Sequence, residues 1–320
     1  MRKLLVVVAI AIAWSWWTRH APAVELGVPQ AMVLTDGFGI VDGPDTGRVL
    51  VQLDRNGSQR SRVELPKLAP DIRVVGALSG PLAVWIDRGK IALQSIKPDG
   101  TLGAREEFGN KAAMLCEGVA TNDYRFGVSW MEKDGRIWVV HGPVTDAAAS
   151  NEDDDDTDVP KPTWCGVASA DEEIALLWAD GKKIKQNNCD RRSCRNSVAK
   201  IAIDPKQLVG FGCVFDGCLF ATRDGKVTWF TERGTKRWTR DLPDVRAGER
   251  VSIVGGRRRF AVGYHTLTGA AVVRFDQSGN ADAVWTDNAD QAPVLALSRD
   301  RLAISYHRAN ELQNRVVALP

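Results

Sequence analysis

Leu82-Ala83-Val84-Trp85-Ile86-Asp87 is the stretch that decides the fold, because the chain rewrites it: an apolar residue, a small one, an aliphatic one, then an aromatic one or two places on. Further copies read Phe126-Gly127-Val128-Ser129-Trp130, Ile174-Ala175-Leu176-Leu177-Trp178, Phe260-Ala261-Val262-Gly263-Tyr264 and Leu302-Ala303-Ile304-Ser305-Tyr306. Looser versions stand at Phe38-Gly39-Ile40 and Gly217-Cys218-Leu219-Phe220. Aligning the small residue gives Gly39, Ala83, Gly127, Ala175, Cys218, Ala261 and Ala303, at spacings of 44, 44, 48, 43, 43 and 42.

Seven units of this length, each with several short strands, are the signature of propeller blades. Long stripes of helical period are missing, and runs such as Lys90 to Ile96 alternate as strands do. Each unit reads as an innermost strand (Val74 to Leu78, for example), the opening motif, a third strand such as Ile91 to Ile96, and an outer strand such as Arg62 to Leu65. Polar turns join the last two: Asp54-Arg55-Asn56-Gly57, Lys97-Pro98-Asp99-Gly100 and Asp276-Gln277-Ser278-Gly279 put Gly where a hairpin needs positive φ. The predicted fold is therefore all-β, a seven-bladed propeller of four-stranded antiparallel blades. The last unit ends after its third strand, and Val24-Glu25-Leu26, which repeats Val63-Glu64-Leu65, is placed to supply the missing strand.

Residues 1–23 read as a secretory signal: Arg2 and Lys3, an apolar run from Leu4 to Ala13, and Ala21-Pro22-Ala23 as the cleavage site. The alternative is an uncleaved anchor, but the apolar run is short for a span of about 20 residues. Residues 24–320 form one propeller domain with an acidic insertion loop at 147–162. Cleavage leaves 39 basic against 40 acidic side chains. A chain so near neutrality has no general electrostatic attraction for nucleic acid. The expected location is periplasmic or secreted, with no membrane span after cleavage, as a monomer.

The six cysteines, at 116, 165, 189, 194, 213 and 218, read as disulfides in an exported chain. Cys189 and Cys194 bracket a polar turn, and Cys213 and Cys218 face each other across Val214 to Gly217. Cys116 and Cys165 occupy nearly the same place in consecutive units and would tie neighbouring innermost strands. Zinc is the rival reading, against which stands the lack of paired C-x2-C spacing.

The run from Leu82 to Phe108, with Lys97-Pro98-Asp99-Gly100-Thr101 at its turn, resembles the degenerate repeats of secreted bacterial β-propellers, distantly quinoprotein-like or WD40-like. Thr222 to Leu242, with Asp224-Gly225-Lys226 and Gly234-Thr235-Lys236-Arg237-Trp238, is similar to a quinoprotein-like blade. That resemblance implies either a quinone-dependent dehydrogenase or a cofactor-free scaffold. Dehydrogenases of this kind carry the element in most blades, and the other blades here depart from it.

The second strands should end on the face that carries the blade-to-blade links, placing Asp87, Met131, Ala179, Thr222, His265 and His307 around it. Asp87, His265 and His307 are the candidate ligand-binding residues. The two imidazoles, equivalent in adjacent blades, suit a shared metal or acid–base work, or are one surface residue kept in two copies. Asp153, Asp154, Asp155, Asp156 and Asp158 suit a weak Ca²⁺ site, against the alternative of a solvated tract without EF-hand alternation. No other cofactor is expected. The tryptophans read as packing elements rather than sugar platforms.

No nucleophile elbow, zincin motif or phosphate loop is present. The reading is an exported binding or scaffold module for a protein or an envelope polymer. The alternative is a hydrolase or quinone-type oxidoreductase over the central channel. Deleting Val24 to Val28 should lower the melting temperature and broaden the transition; an unchanged melt would remove this segment from ring closure.

Overall fold

The computed structural model describes residues 29–319 apart from short breaks at 44–46, 66–71, 78–79, 110, 119, 123–124, 144–150, 156–161, 171–172, 190–197, 257–258 and 299. Its strands make seven antiparallel sheets, one for each unit of the repeat. Blade 1 runs Gln30–Leu34, Gly37–Asp42, Val49–Asp54 and Gln59–Glu64 from the centre outward; blade 2 runs Arg73–Ala77, Gly80–Asp87, Lys90–Ile96 and Leu102–Phe108. Blade 4 comprises Cys165–Ala170, Glu173–Asp180, Lys183–Cys189 and Ala199–Ile201, and blade 5 Leu208–Val214, Gly217–Thr222, Lys226–Thr231 and Lys236–Asp241. Blade 6 comprises Ser252–Gly256, Arg259–His265, Ala270–Phe275 and Ala281–Asp287. Blade 7 has three described strands, Val294–Ser298, Arg301–Arg308 and Glu311–Ala318. Val24–Leu26, expected to complete it, lies outside the described residues.

The core is divided among the seams. Seven clusters of buried apolar side chains lie one at each blade–blade junction, from blades 1 and 2 round to blades 7 and 1. A single strand serves two of them: Ala83 and Trp85 pack toward blade 1, while Leu82 and Val84 between them pack toward blade 3. That follows from the two-residue period of a strand, whose successive side chains point to opposite faces.

Seam membership corrects the repeat register. Trp85, Trp130, Trp178, Phe220, Tyr264 and Tyr306 all face the preceding blade. Parity fixes the face and the inner hairpins fix the register: two residues on from the residue that closes each hairpin stand Leu82, Gly127, Ala175, Leu219, Ala261 and Ala303, so the alignment is one residue late at Ala83 in blade 2 and one residue early at Cys218 in blade 5. Three residues further on, the position of Trp85 and Tyr306 is held in blade 5 by Thr222. In blade 1 the same position is Asp42.

Blade 3 departs most from the expected pattern. Its innermost strand is split into Ala112–Leu115 and Ala120–Asn122, both paired with Arg125–Glu132, which in turn pairs with Ile137–Pro143. The outer strand is Asn151–Asp155, in register from Ile137 opposite Asp155 to His141 opposite Asn151. Part of the tract expected as an insertion loop at 147–162 is thus a ladder strand. Backbone pairing needs no apolar side chains, and an outer edge strand tolerates charge.

At the split, Glu117 pairs in parallel with Gly166, its N–H donating to the Cys165 carbonyl at 2.8 Å and its carbonyl accepting from Val167 N–H at 2.8 Å. The Cys116–Cys165 disulfide spans the same junction, so the innermost strands of blades 3 and 4 are tied as expected. From blade 2, the Arg73 guanidinium donates to the Cys116 and Gly118 carbonyls at the break. Cys213 and Cys218 are also bonded, and Cys189 is disulfide-bonded, with Cys194 outside the described residues.

The polar turns form as predicted. Asp54 Oδ1 accepts from the N–H groups of Asn56 at 2.8 Å and Ser58 at 2.9 Å, and Gly57 sits at φ 91°. Asp276 repeats the arrangement with Ser278 and Asn280 around Gly279 at φ 80°. The backbone N–H groups hold the Asp54 carboxyl below the usual range, and the Asn280 side-chain amide, followed by the backbone N–H groups, does the same for Asp276. Replacing both Cys116 and Cys165 by Ala should cost about 2–4 kcal/mol of stability, seen as a lower urea midpoint; an unchanged midpoint would show that the Arg73 and Glu117 bonds hold the junction alone.

Candidate functional site

The second strands end on the face that also carries the links between blades, and there the structure places the candidate histidines. Both are buried rather than set on the rim. His265 Nδ1 lies 2.6 Å from Glu249 Oε2, a residue of the link that enters blade 6. His307 Nδ1 lies 2.6 Å from Gln291 Nε2, in the link that enters blade 7. Each partner stands 16 residues before its histidine, so the pairs are two copies of one device. The links fold over the strand ends, which is why position in the repeat alone did not reveal the burial. Backbone bonds fix the same contact: Arg246 N–H donates to the His265 carbonyl at 2.9 Å and Asp290 N–H to the His307 carbonyl at 2.8 Å.

His307 has a second neighbour across the closing seam. Its Nε2 lies 3.0 Å from Asp42 Oδ1, close enough for charge attraction but not aligned as a hydrogen bond. With the Gln291 amide donating to Nδ1, the ring proton sits on Nε2 and faces the carboxylate. The imidazole is 1% exposed and the Asp42 side chain 14%, so the contact is largely screened from solvent. Next to the histidines, burial pushes the Tyr264 phenol up to about 12. The Tyr306 hydroxyl donates to Asp287 Oδ2 at 2.7 Å and holds that carboxyl below the usual range.

Asp87 is placed apart from this pair. By seam register Ile86, not Asp87, is the counterpart of His265 and His307. Asp87 Oδ2 accepts from Arg105 at 2.7 Å, Arg105 also meets Glu107 at 2.8 Å, and Lys90 meets Glu107 at 2.7 Å, all partly exposed. Of the acidic positions, Asp153, Asp154 and Asp155 lie on the outer strand of blade 3, while Asp156 and Asp158 fall outside the described residues. Among the described residues no three His, Cys, Asp or Glu side chains converge as a metal site.

A cleft that sequence reasoning missed opens on the opposite face, where the hairpin turns of blades 5 and 6 meet. It measures about 730 Å³ and is walled by Asp216, Trp229, Glu232, Arg233, Arg237 and Gln277 among others. Gln277 Nε2 donates to Asp216 Oδ2 at 2.6 Å and joins the two blades. Phe215, next to Asp216, is 48% exposed within the turn closed by Cys213 and Cys218. The available signal was that disulfide bracket around an aromatic residue in a turn.

The quinoprotein-like element of blade 5 is spent on packing here. Trp238 Nε1 donates to the Gln277 carbonyl at 3.0 Å, and a Cβ on Gly279 would come within 2.9 Å of the indole, so the ring lies flat against the next blade's turn. Gly234 approaches the Lys200 carbonyl of blade 4 as closely, within 2.5 Å of where a Cβ would be. Its φ of 78° also suits glycine.

No protein-family model matches the sequence, and none of the curated proteins compared with it does so. Solved structures do match. The BBS1N chain of a complex with ARL6DN is 14% identical, with 88% of this chain and 87% of that one covered at a TM-score of 0.58. Apo AztD from Citrobacter koseri is 12% identical over 84% and 74% of the two chains, at a TM-score of 0.53. BamB from Moraxella catarrhalis is 17% identical over 89% and 83%, at 0.49. The likeness is one of fold.

Asp42→Ala should destabilise the protein by about 1–3 kcal/mol, because it strips a buried imidazole of its facing charge. Asp87→Ala, in an exposed network, should stay within about 0.5 kcal/mol of the parent. Equal losses in chemical denaturation would contradict the different burial of the two carboxylates.

Proposed function

We propose that this chain is an exported propeller that works as a binding or scaffold module in the periplasm or outside the cell, for a protein or an envelope polymer. The observation that carries the reading is the commitment of its reactive side chains to structure. His265 and His307 are engaged by Glu249, Gln291 and Asp42, and the strand tryptophans fill seams. What remains accessible is turn surface on a rigid ring, the usual place for recognition in such folds. The disulfides suit an oxidising compartment outside the cytoplasm. No helix among the described residues is long and apolar enough to cross a membrane.

Weak Ca²⁺ binding at Asp153, Asp154, Asp155, Asp156 and Asp158 stays part of the proposal, as a structural ion of the acidic tract. Purified mature protein should show a mass and absorbance spectrum of polypeptide alone, and the immobilised protein should retain envelope components from a solubilised extract. A stoichiometric bound quinone would replace this reading with the oxidoreductase one.

A further inference from the structure

The hairpin-turn face of blades 5 and 6 combines three features that the ring itself does not need. The first is an apolar anchor. Among the described residues only Val198, Phe215 and Leu267 are large, apolar and exposed, and Phe215 is the one aromatic. A ring of that size left in water gains free energy on being covered, roughly 25 cal/mol for each Å² removed from solvent.

The second feature is rigidity. Phe215 sits in a five-residue disulfide closure between paired strands, Cys213 opposite Cys218 and Val214 opposite Gly217. Its neighbour Asp216 is pinned to blade 6 by Gln277, and the Asp216 carbonyl accepts from Glu232 N–H at 2.9 Å. A fixed aromatic loses little conformational freedom when a partner covers it, which is how interface anchors gain affinity.

The third feature is unspent positive charge in the cleft that Asp216, the residue after the anchor, helps to wall. Arg233 and Arg237 line the cleft without a hydrogen bond or ion pair to any described residue. The arginines of the neighbouring strands are occupied, Arg240 by the Gly279 carbonyl and Arg274 by Asp282. The cleft's own Asp216 is already engaged with the Gln277 amide. Two free guanidiniums offer forked donors of the kind that pair with carboxylates. Together the anchor and the forks ask for a ligand with an apolar group close to a carboxylate.

We propose that this cleft docks an extended polypeptide segment, with an apolar side chain of the partner covering Phe215 and a nearby Asp, Glu or C-terminal carboxylate meeting Arg233 and Arg237. The inference rests on the reading of the protein as a binding module and names the partner class at one site. A polypeptide fits better than a polyanionic glycan because the anchor is apolar and because Asp216 and Glu232 would repel a uniformly acidic chain.

The test pans phage-displayed random peptides on the disulfide-intact mature protein and titrates the enriched sequences, as labelled peptides, against variants. Enriched peptides should pair an apolar residue with a nearby carboxylate. Their affinity should fall roughly tenfold or more in Phe215→Ser and in the Arg233→Glu, Arg237→Glu double variant. It should hold in Leu267→Ser on the opposite face, with melting temperatures checked for every variant. No enrichment, or binding indifferent to both sets of changes, would overturn the proposal. Polygalacturonate binding that needs the arginines but not Phe215 would also overturn it, while leaving the wider reading as a binding module in place; retention of nothing from envelope extract would remove that reading as well.

Discussion

Every blade is a sheet with a neighbour on each side, so both of its faces must be apolar, and the fold depends on that constraint. A half-exposed sheet could alternate apolar and polar residues; a blade cannot. The strands therefore read as near-continuous apolar runs, with Leu82, Val84 and Ala83, Trp85 divided between two seams. One buried side chain of this size is worth about 1.5–3 kcal/mol. An open row of blades would leave the outer faces of the first and last in water, and closing the ring turns those two faces into a seventh seam. Phe38, Ile40, Val51 and Leu53 of blade 1 meet Ala296 and Ala303 of blade 7 there.

That seventh seam differs from the others. At the position where blades 2, 3, 4, 6 and 7 send a Trp or Tyr ring toward the preceding blade, blade 1 sends Asp42 toward His307, while its Phe38 packs elsewhere in the same seam. The seam consequently relies on a polar contact where its equivalents rely on area. Other contacts gather at the same junction: the Gly57 turn lies against Val316, and Arg301 donates to the Arg55 carbonyl at 3.3 Å. A seam that holds through several modest contacts is the natural place for a ring to open first.

The architecture was legible because the period, the turn glycines and the cysteine spacing are local signals, and the Cys116–Cys165 and Cys213–Cys218 expectations are both met, the partner of Cys189 lying outside the described residues. The register was legible only to within one residue. In strands that are apolar on both faces no alternation marks which face a residue takes, so Ala83 and Cys218 aligned as readily as Leu82 and Leu219. The acidic tract misled for the opposite reason: an outer strand needs backbone partners only, and Asn151 to Asp155 carries no compositional mark of a strand. The histidines were found as equivalent positions, but their burial depends on links that begin 16 residues earlier. The cleft was out of reach because Asp216 and Gln277, which meet across it, are 61 residues apart.

The two faces of the ring have consequently been put to different uses. On the link face His265 and His307 are covered by the links and engaged by Glu249 and Gln291, so their polar groups serve the ring. On the turn face the hairpins need only their Asp and Gly residues to form, as Asp54 with Gly57 and Asp276 with Gly279 illustrate. Other turn positions are open to variation, though Asp216 and Gln277 are used to join blades 5 and 6. Phe215 stands in one such turn, closed by a disulfide, and Arg233 and Arg237 line the cleft that its neighbour Asp216 walls and joins to blade 6.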